Sequence, residues 1–334
     1  LTQPQNVPLT LTATINDAAA TLLSRSYNTP HTHYGLILGT GVNMGVHLPV
    51  SLLGSKMSSR INTSTINLAT LTPPTTPPGS DSPDSAIGGL GNVSKEEELA
   101  SAEGAEHTHV IVNTELSMFG AGLLPSNRFD QQLAAAHPLP DFQPLEMLVS
   151  GRYLGEIVRL VLLEAIEKAG LISGQVPSIL KVSYGLDTHV LAKVEAATSI
   201  PEVRKVLVEH VSDIVYSDED IAAIRRIVRA VSKRASACIA AAVYALRSVR
   251  DGAESKAKMV EEMAEPAHET VACAGAVIQQ YPGFMAATQS VLDKLYELDT
   301  ETKGKRVVLC IAHESSLLGA AGGSAVGEAA GESA

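Results

Sequence analysis

Several short segments of this 334-residue chain hold side chains suited to taking up a proton, binding a polyol or holding a phosphate. The first is Asn16-Asp17, at the end of an alternating run from Val7 to Ile15 that reads as a strand. A carboxylate at a strand end, facing a hollow, can accept a hydroxyl proton during phosphoryl transfer. Asn and Asp are also favoured at helix starts, and an alanine-rich stretch to Tyr27 follows, so a capping role is open as well. The second segment is Gly39-Thr40-Gly41-Val42-Asn43, after a short strand from Tyr34 to Leu38. A glycine-rich turn lets backbone amides approach a phosphate, with the Thr40 hydroxyl and the Asn43 amide beside it. An ordinary tight turn is the alternative. A dinucleotide fingerprint would need glycine at position 44, which is Met44. The third group is Asn113 and Glu115, two residues apart at the end of a strand, with Glu146 further on. Amides and carboxylates converging on a small pocket bind sugar hydroxyls. Scattered over a surface, they would be solvated charges.

Order and content together say more. Asn-Asp before a helix, then Gly-Thr-Gly-x-Asn, then Val112-Asn113-Thr114-Glu115, then Glu146 and Ser150-Gly151-Arg152-Tyr153-Leu154-Gly155-Glu156, resemble the hexokinase family. The resemblance continues through Val231-Ser232-Lys233-Arg234-Ala235, Tyr281-Pro282-Gly283-Phe284 and Gly319-Ala320-Ala321. It implies an α/β fold, the large lobe of a hexokinase within the actin-like, ribonuclease H-like ATPases, with a mixed sheet flanked by helices. It also implies ATP-dependent phosphorylation of a glucose-like hexose at the 6-hydroxyl. Asp17 would be the base. Asn16, Asn43, Glu115 and Glu146 would hold the sugar. Gly39, Thr40, Gly41, Gly275 and Ser316 would lie on the nucleotide side, with Mg2+ arriving on the ATP and no metal site in the protein itself.

The departures from the family pattern set a second expectation. The small lobe's Asp-Gly-Gly-Thr phosphate loop and Ser-Phe-Pro sugar loop do not occur here, so the N-terminal small lobe is expected to be missing. Ala274-Gly275-Ala276 stands where the family usually has Asp-Gly-Ser, and Ser315-Ser316-Leu317 where it has Gly-Ser-Gly. A non-catalytic, sugar-sensing protein with a regulatory partner is the alternative these changes support.

These residues need a scaffold. Helices are expected over Tyr153 to Lys168, Pro201 to Val211, Ser217 to Arg250 and Gly283 to Leu298, and from Gly319 onward before a frayed tail. Late strands are expected over Thr270 to Ile278 and Arg306 to Ala312, and an early one over His109 to Asn113. Alternating strands and helices make an α/β domain. Residues 58–106, rich in proline, serine and threonine, read as a disordered insertion, leaving 1–57 and 107–325 as one domain and 326–334 as a flexible tail.

Composition narrows the class further. The net charge of −11 and the absence of basic stretches interleaved with aromatics argue against nucleic-acid binding. Three widely spaced cysteines fit a reducing compartment, and with the resemblance they point to the cytoplasm. No run of 18 apolar residues is present, so no membrane span is expected.

Overall fold

The computed structural model describes residues 14–29, 31–53, 109–212, 214–257, 268–300, 306–313, 315 and 317–321. A five-stranded sheet runs in the order β3-β2-β1-β4-β5. Its strands are β1 (Thr32–Leu38), β2 (Val42–Pro49), β3 (His109–Asn113), β4 (His268–Ala274) and β5 (Arg306–Ile311). β2 pairs antiparallel with β1 and β3, whereas β4 pairs parallel with β1 and β5. The sheet is therefore mixed, as expected. Parallel pairing needs a long crossover, and here it contains most of the helices.

β2 is the strand that sequence reasoning missed. Its signal was present: Val42, Met44, Val46 and Leu48 alternate with Asn43, Gly45 and His47. Register assigns the faces. Gly35 and Ile37 oppose Gly45 and Asn43, and Gly45 opposes Asn113. These residues share one face. Tyr34, Leu36, Leu38, Met44 and Val46 point to the other and join the main core.

That core lies between the sheet and the helices α4 (Gly151–Ala169), α7 (Asp218–Ala257) and α9 (Phe284–Leu298). α7 has 40 residues and passes beneath the sheet. Two bonds of 2.6 and 2.8 Å join its Arg234 to Asp130, within the capping box that starts α2 (Arg128–Ala136). Near its other end, Arg250 and Arg247 meet the buried Glu269 of β4 at 2.6 and 3.1 Å.

The opposite face is covered by α1 (Asp17–Ser26), capped by the Asn16 side chain. This helix lies directly on the strands because two glycines admit it. A Cβ on Gly35 would stand 2.3 Å from the Ala18 carbonyl oxygen, and one on Gly45 would stand 3.1 Å from it. The segment 317–321 packs behind α1 in the same way, since a Cβ on Gly319 would lie 2.2 Å from the Ala20 oxygen.

Most expected helices, α6 (Ile200–His210) among them, stand within a residue or two of their predicted ends, and α7 runs seven residues past Arg250. The strand expected over Thr270 to Ile278 does not run through. It stops at Ala274, because Gly275 takes φ +108° and the chain turns into the short helix α8 (Ala276–Gln280). A Cβ at Gly275 would meet the Leu38 carbonyl oxygen at 2.4 Å, so only glycine fits there. The strand expected from Val7 lies outside the described residues up to position 13, and residues 14–16 form no strand. The expected insertion and tail also lie outside the described residues.

Away from the site, His33, His47 and His109 form a stacked row on the α1 face, with ring centroids 5.8 and 4.9 Å apart. Burial, reinforced by the nearby Arg250 charge, pulls His33 down to about 2. Burial and the neighbouring His109 and Arg250 pull His47 down to about 3. Both folded values lie below the ordinary 6.5, so the unfolded chain binds protons first as pH falls.

Two predictions follow from this packing. Gly35→Ala forces α1 off the sheet and should cost about 1–3 kcal/mol of stability, read from the urea midpoint. Lowering the pH from about 6.5 to about 5 should cost roughly 2–3 kcal/mol per pH unit from this row. Urea titrations across that range check it, and a His33→Phe/His47→Phe variant should show the flatter profile.

Candidate active site

Side chains on the α1 face form a row at the end of β2. The Asn43 amide donates to Asn113 Oδ1 at 2.7 Å, and the Asn113 amide donates to Glu115 Oε1 at 2.7 Å. Asn43 Oδ1 also accepts the Leu116 backbone N–H at 3.3 Å. Strand alternation alone would not aim Glu115 at this row. The chain leaves β3 at Asn113, and Glu115 takes a left-handed φ of +52°. That turn brings its carboxylate back over Asn113.

Asn16 and Asp17 sit at the start of α1, over the glycines of this face. Asn16 Oδ1 and Asp17 Oδ1 accept the Ala18 N–H at 2.9 and 2.8 Å, so the capping interpretation holds for Asn16. Both residues are nevertheless exposed. The helix dipole favours the Asp17 carboxylate there.

Glu146 approaches from α3 (Pro144–Val149) and accepts the Val42 N–H with Oε2 at 3.0 Å. It lies tight against Gly41, where a Cβ would stand 2.7 Å from that oxygen. Glu146 thus holds the turn between β1 and β2, and its second oxygen has no hydrogen bond among the described residues.

The Gly39-Thr40-Gly41 segment is a tight hairpin turn, and α4 begins against it. The first amides of a helix have no partners within it. Here Gly151 N–H donates to the Gly39 carbonyl at 2.7 Å, and Arg152 N–H to the Thr40 carbonyl at 3.4 Å. A Cβ on Gly151 would lie 2.9 Å from the Gly39 oxygen. One turn later, Gly155 admits the segment before α5 (Thr188–Ala196), since its Cβ would stand 2.0 Å from the Leu186 oxygen. Thr188 Oγ1 bridges this crossing, accepting from Gly155 N–H at 3.0 Å and donating to the Gly151 carbonyl at 2.7 Å.

Between these pieces opens a cleft of about 850 Å³. Gly39 and Thr40 form one wall with α4 and the start of α8; α5 and the turn at Tyr281 form the other. Gly275 lies behind, 3.5 Å from where a Gly39 Cβ would be. Arg152, His189 and Lys193 line the cleft, and Asp187 turns one oxygen to the His189 N–H at 2.6 Å. The Arg152 and Lys193 charges beside exposed backbone and apolar surface suit a polyanion carrying an apolar group. Glu195 fastens α5 to the Tyr281 turn and to α7 by accepting from both the Tyr281 and the Ser232 hydroxyls.

Tyr184 stands in the same cleft on an unusual backbone. It has φ +57°, a region that bulky residues rarely adopt and that costs about 1–3 kcal/mol. A buried ion pair holds it there. Glu156 accepts the Tyr184 N–H at 2.6 Å and pairs with Arg159, which donates to the Leu180 carbonyl at 2.6 Å.

The structure therefore groups Asn43 and Glu115 in one row with Asn113, beneath the helix start that carries Asn16 and Asp17. Glu146 is at the adjoining turn. Gly39 and Thr40 line the cleft, Gly41 faces Glu146 instead, and Gly275 supports the turn. Ser316 lies outside the described residues. Sequence reasoning missed Tyr184, Thr188, His189 and Lys193. Asp187 before Thr188 was a helix-start signal for the last three, but nothing local marks Tyr184. Among the described residues no helix is long and apolar enough to cross a membrane, and no cluster of His, Cys, Asp or Glu is arranged to hold a metal.

Comparison with known proteins bears on this arrangement. The family model described as Hexokinase matches residues 89–326. Hexokinase-2 of Candida albicans is 28% identical over an alignment of 329 residues, covering 94% of this chain and 54% of that protein. Hexokinase-1 of Saccharomyces cerevisiae is 26% identical, covering 95% of this chain and 55% of that protein. The chain thus spans about half the length of these curated relatives. A solved hexokinase from Schistosoma mansoni, complexed with glucose, superposes with a TM-score of 0.65 at 24% identity, over 93% of this chain and 56% of that one. This last likeness concerns the fold, which is that of a hexokinase with a mixed sheet flanked by helices. With the family model matching well over half of its residues, this chain belongs to the hexokinase family.

Proposed function

We propose that this chain forms the large-lobe wall of an ATP-dependent hexose kinase that phosphorylates the 6-hydroxyl of a glucose-like sugar. The observation that supports it best is the shared sheet face. Asn43, Asn113 and Glu115 form one hydrogen-bonded row under the helix start carrying Asp17, a single hairpin turn away from the cleft.

In this reading Asn16, Asn43, Glu115 and Glu146 bind sugar hydroxyls, Glu146 with the oxygen not used by Val42. Asp17 accepts the proton of the 6-hydroxyl as that oxygen attacks the γ-phosphorus of ATP. The bond from phosphorus to the β,γ-bridging oxygen breaks, and ADP leaves. The nucleotide lies against Gly39 and Thr40, with Gly275 behind them, and Gly41, which faces Glu146, is assigned to the nucleotide side by resemblance alone. The Thr40 hydroxyl donates to a phosphate, and Arg152 and Lys193 balance charge. Ser316 is assigned to the nucleotide side by resemblance alone. Mg2+ enters as part of the nucleotide substrate and neutralises the phosphates. Placement and charge neutralisation provide most of the acceleration in such transfers.

A non-catalytic sugar sensor with a regulatory partner is the second reading. The observation favouring it is local. Ala276, which stands where the family usually has the serine of Asp-Gly-Ser, lines the cleft with its backbone nitrogen 3.3 Å from a Gly39 Cβ position, so a hydroxyl is lost from the nucleotide wall itself.

Two measurements on the full-length gene product decide between them. Glucose-dependent ADP formation should fall about a hundredfold or more in kcat on Asp17→Ala; an unchanged kcat rejects Asp17 as the base. Glu115→Ala should weaken glucose binding about tenfold, read by calorimetry. Glucose binding with no binding of MgATP would favour the sensor.

A further inference from the structure

We propose that Tyr184 is the platform on which the base of a bound nucleotide stacks, making it a specificity-determining residue of the cleft. This inference rests on the nucleotide reading given above.

Three independent observations converge on this side chain. The first is its position: Tyr184 lines the cleft beside Arg152 and Thr188, yet remains 43% exposed. An aromatic ring left open to water inside a polar cleft offers a flat apolar surface with nothing yet upon it. The second is backbone geometry. A tyrosine at φ +57° sits where glycine or asparagine would rest more easily, and non-glycine residues in this region concentrate at binding sites. The third is its support. Glu156 and Arg159 are 5% and 6% exposed, and their ion pair fixes both the Tyr184 N–H and the Leu180 carbonyl. A buried ion pair is an expensive way to hold a surface loop, and here it fixes the one residue of the loop that presents a ring to the cleft.

The ring itself is also held. Tyr153 packs edge-on against Tyr184, with centroids 6.2 Å apart and planes at 60°, and the Arg152 guanidinium lies 5.7 Å from the centre of the Tyr153 ring. The cation thus sits one ring away from the platform. That places positive charge for a phosphate and a stacking surface for a base in the same cleft. The occupant fitted by this pair is a nucleoside di- or triphosphate. A bare polyphosphate would leave the aromatic surface unused. Stacking tolerates different bases, so Tyr184 would set affinity for base-bearing ligands in general, with selectivity among bases left to polar neighbours.

Calorimetric titration of the full chain with ADP tests the proposal. Tyr184→Ala should weaken ADP binding about tenfold or more, and Tyr184→Phe should stay within about twofold of the parent. Tyr184→Gly, which suits the positive φ, should keep the parent's circular dichroism spectrum and still lose affinity as the alanine variant does. That combination separates a stacking role from a structural one. An alanine variant matching the parent overturns the platform alone. A parent that binds no ADP overturns the nucleotide reading, and the platform with it.

Discussion

The architecture depends on one interlock, the docking of the first turn of α4 onto the hairpin between β1 and β2. Helix amides that would otherwise be orphaned donate to the Gly39 and Thr40 carbonyls, and Gly151 permits the approach. A buried N–H without a partner costs about 1–3 kcal/mol, so the contact is strongly specified. It also joins the two halves of the site. The turn faces the row of Asn43, Asn113 and Glu115 through Glu146 and Gly41 on one flank, and the cleft through Thr40 on the other. A displaced α4 would shift both together.

Glycine placement makes this compactness possible. Gly35 and Gly45 let α1 rest on the sheet, Gly155 admits the segment ahead of Thr188, and Gly275 ends β4 where Leu38 comes close. Each removes a Cβ from a point of backbone contact. The buried ion pairs have a related task. Glu269 with Arg247 and Arg250 joins α7 to β4, Asp130 with Arg234 joins α7 to α2, and Glu156 with Arg159 holds the loop at the cleft. Such pairs add little net stability over apolar packing, but removing one partner leaves an uncompensated charge. They favour a single arrangement of the helices around the cleft.

The two sides of the site differ in how their geometry arises. The row of Asn43, Asn113 and Glu115 is set by strand register, since Asn43 and Asn113 meet because Gly45 pairs with Asn113. Such a row is as rigid as the sheet. The cleft is walled by two turns, a loop and three helices, held in place through Glu195, Thr188 and Glu156. Substitutions that loosen those ties would alter the cleft without moving the row. The departures from the family pattern at Ala274-Gly275-Ala276 fall on the cleft side, which is the side built from separable parts.

Much of this was legible before any coordinates. Apolar periodicity marked the long helices, whose stripes must face a core whatever the topology. The motifs singled out Asp17, Asn43, Glu115 and Glu146 as candidates, because side-chain chemistry is a local property, and the fold brings Asn43 and Glu115 into one row. Tertiary structure decided the rest. β2 was overlooked although its alternation was plain, and the apolar run after Thr270 read as a longer strand because a backbone break at Gly275 depends on a carbonyl from another strand. The left-handed turn at Glu115, the α4 interlock and the aromatic wall at Tyr184 could not be read from sequence. Each is set by atoms far apart along the chain, and local spacing has no access to such distances.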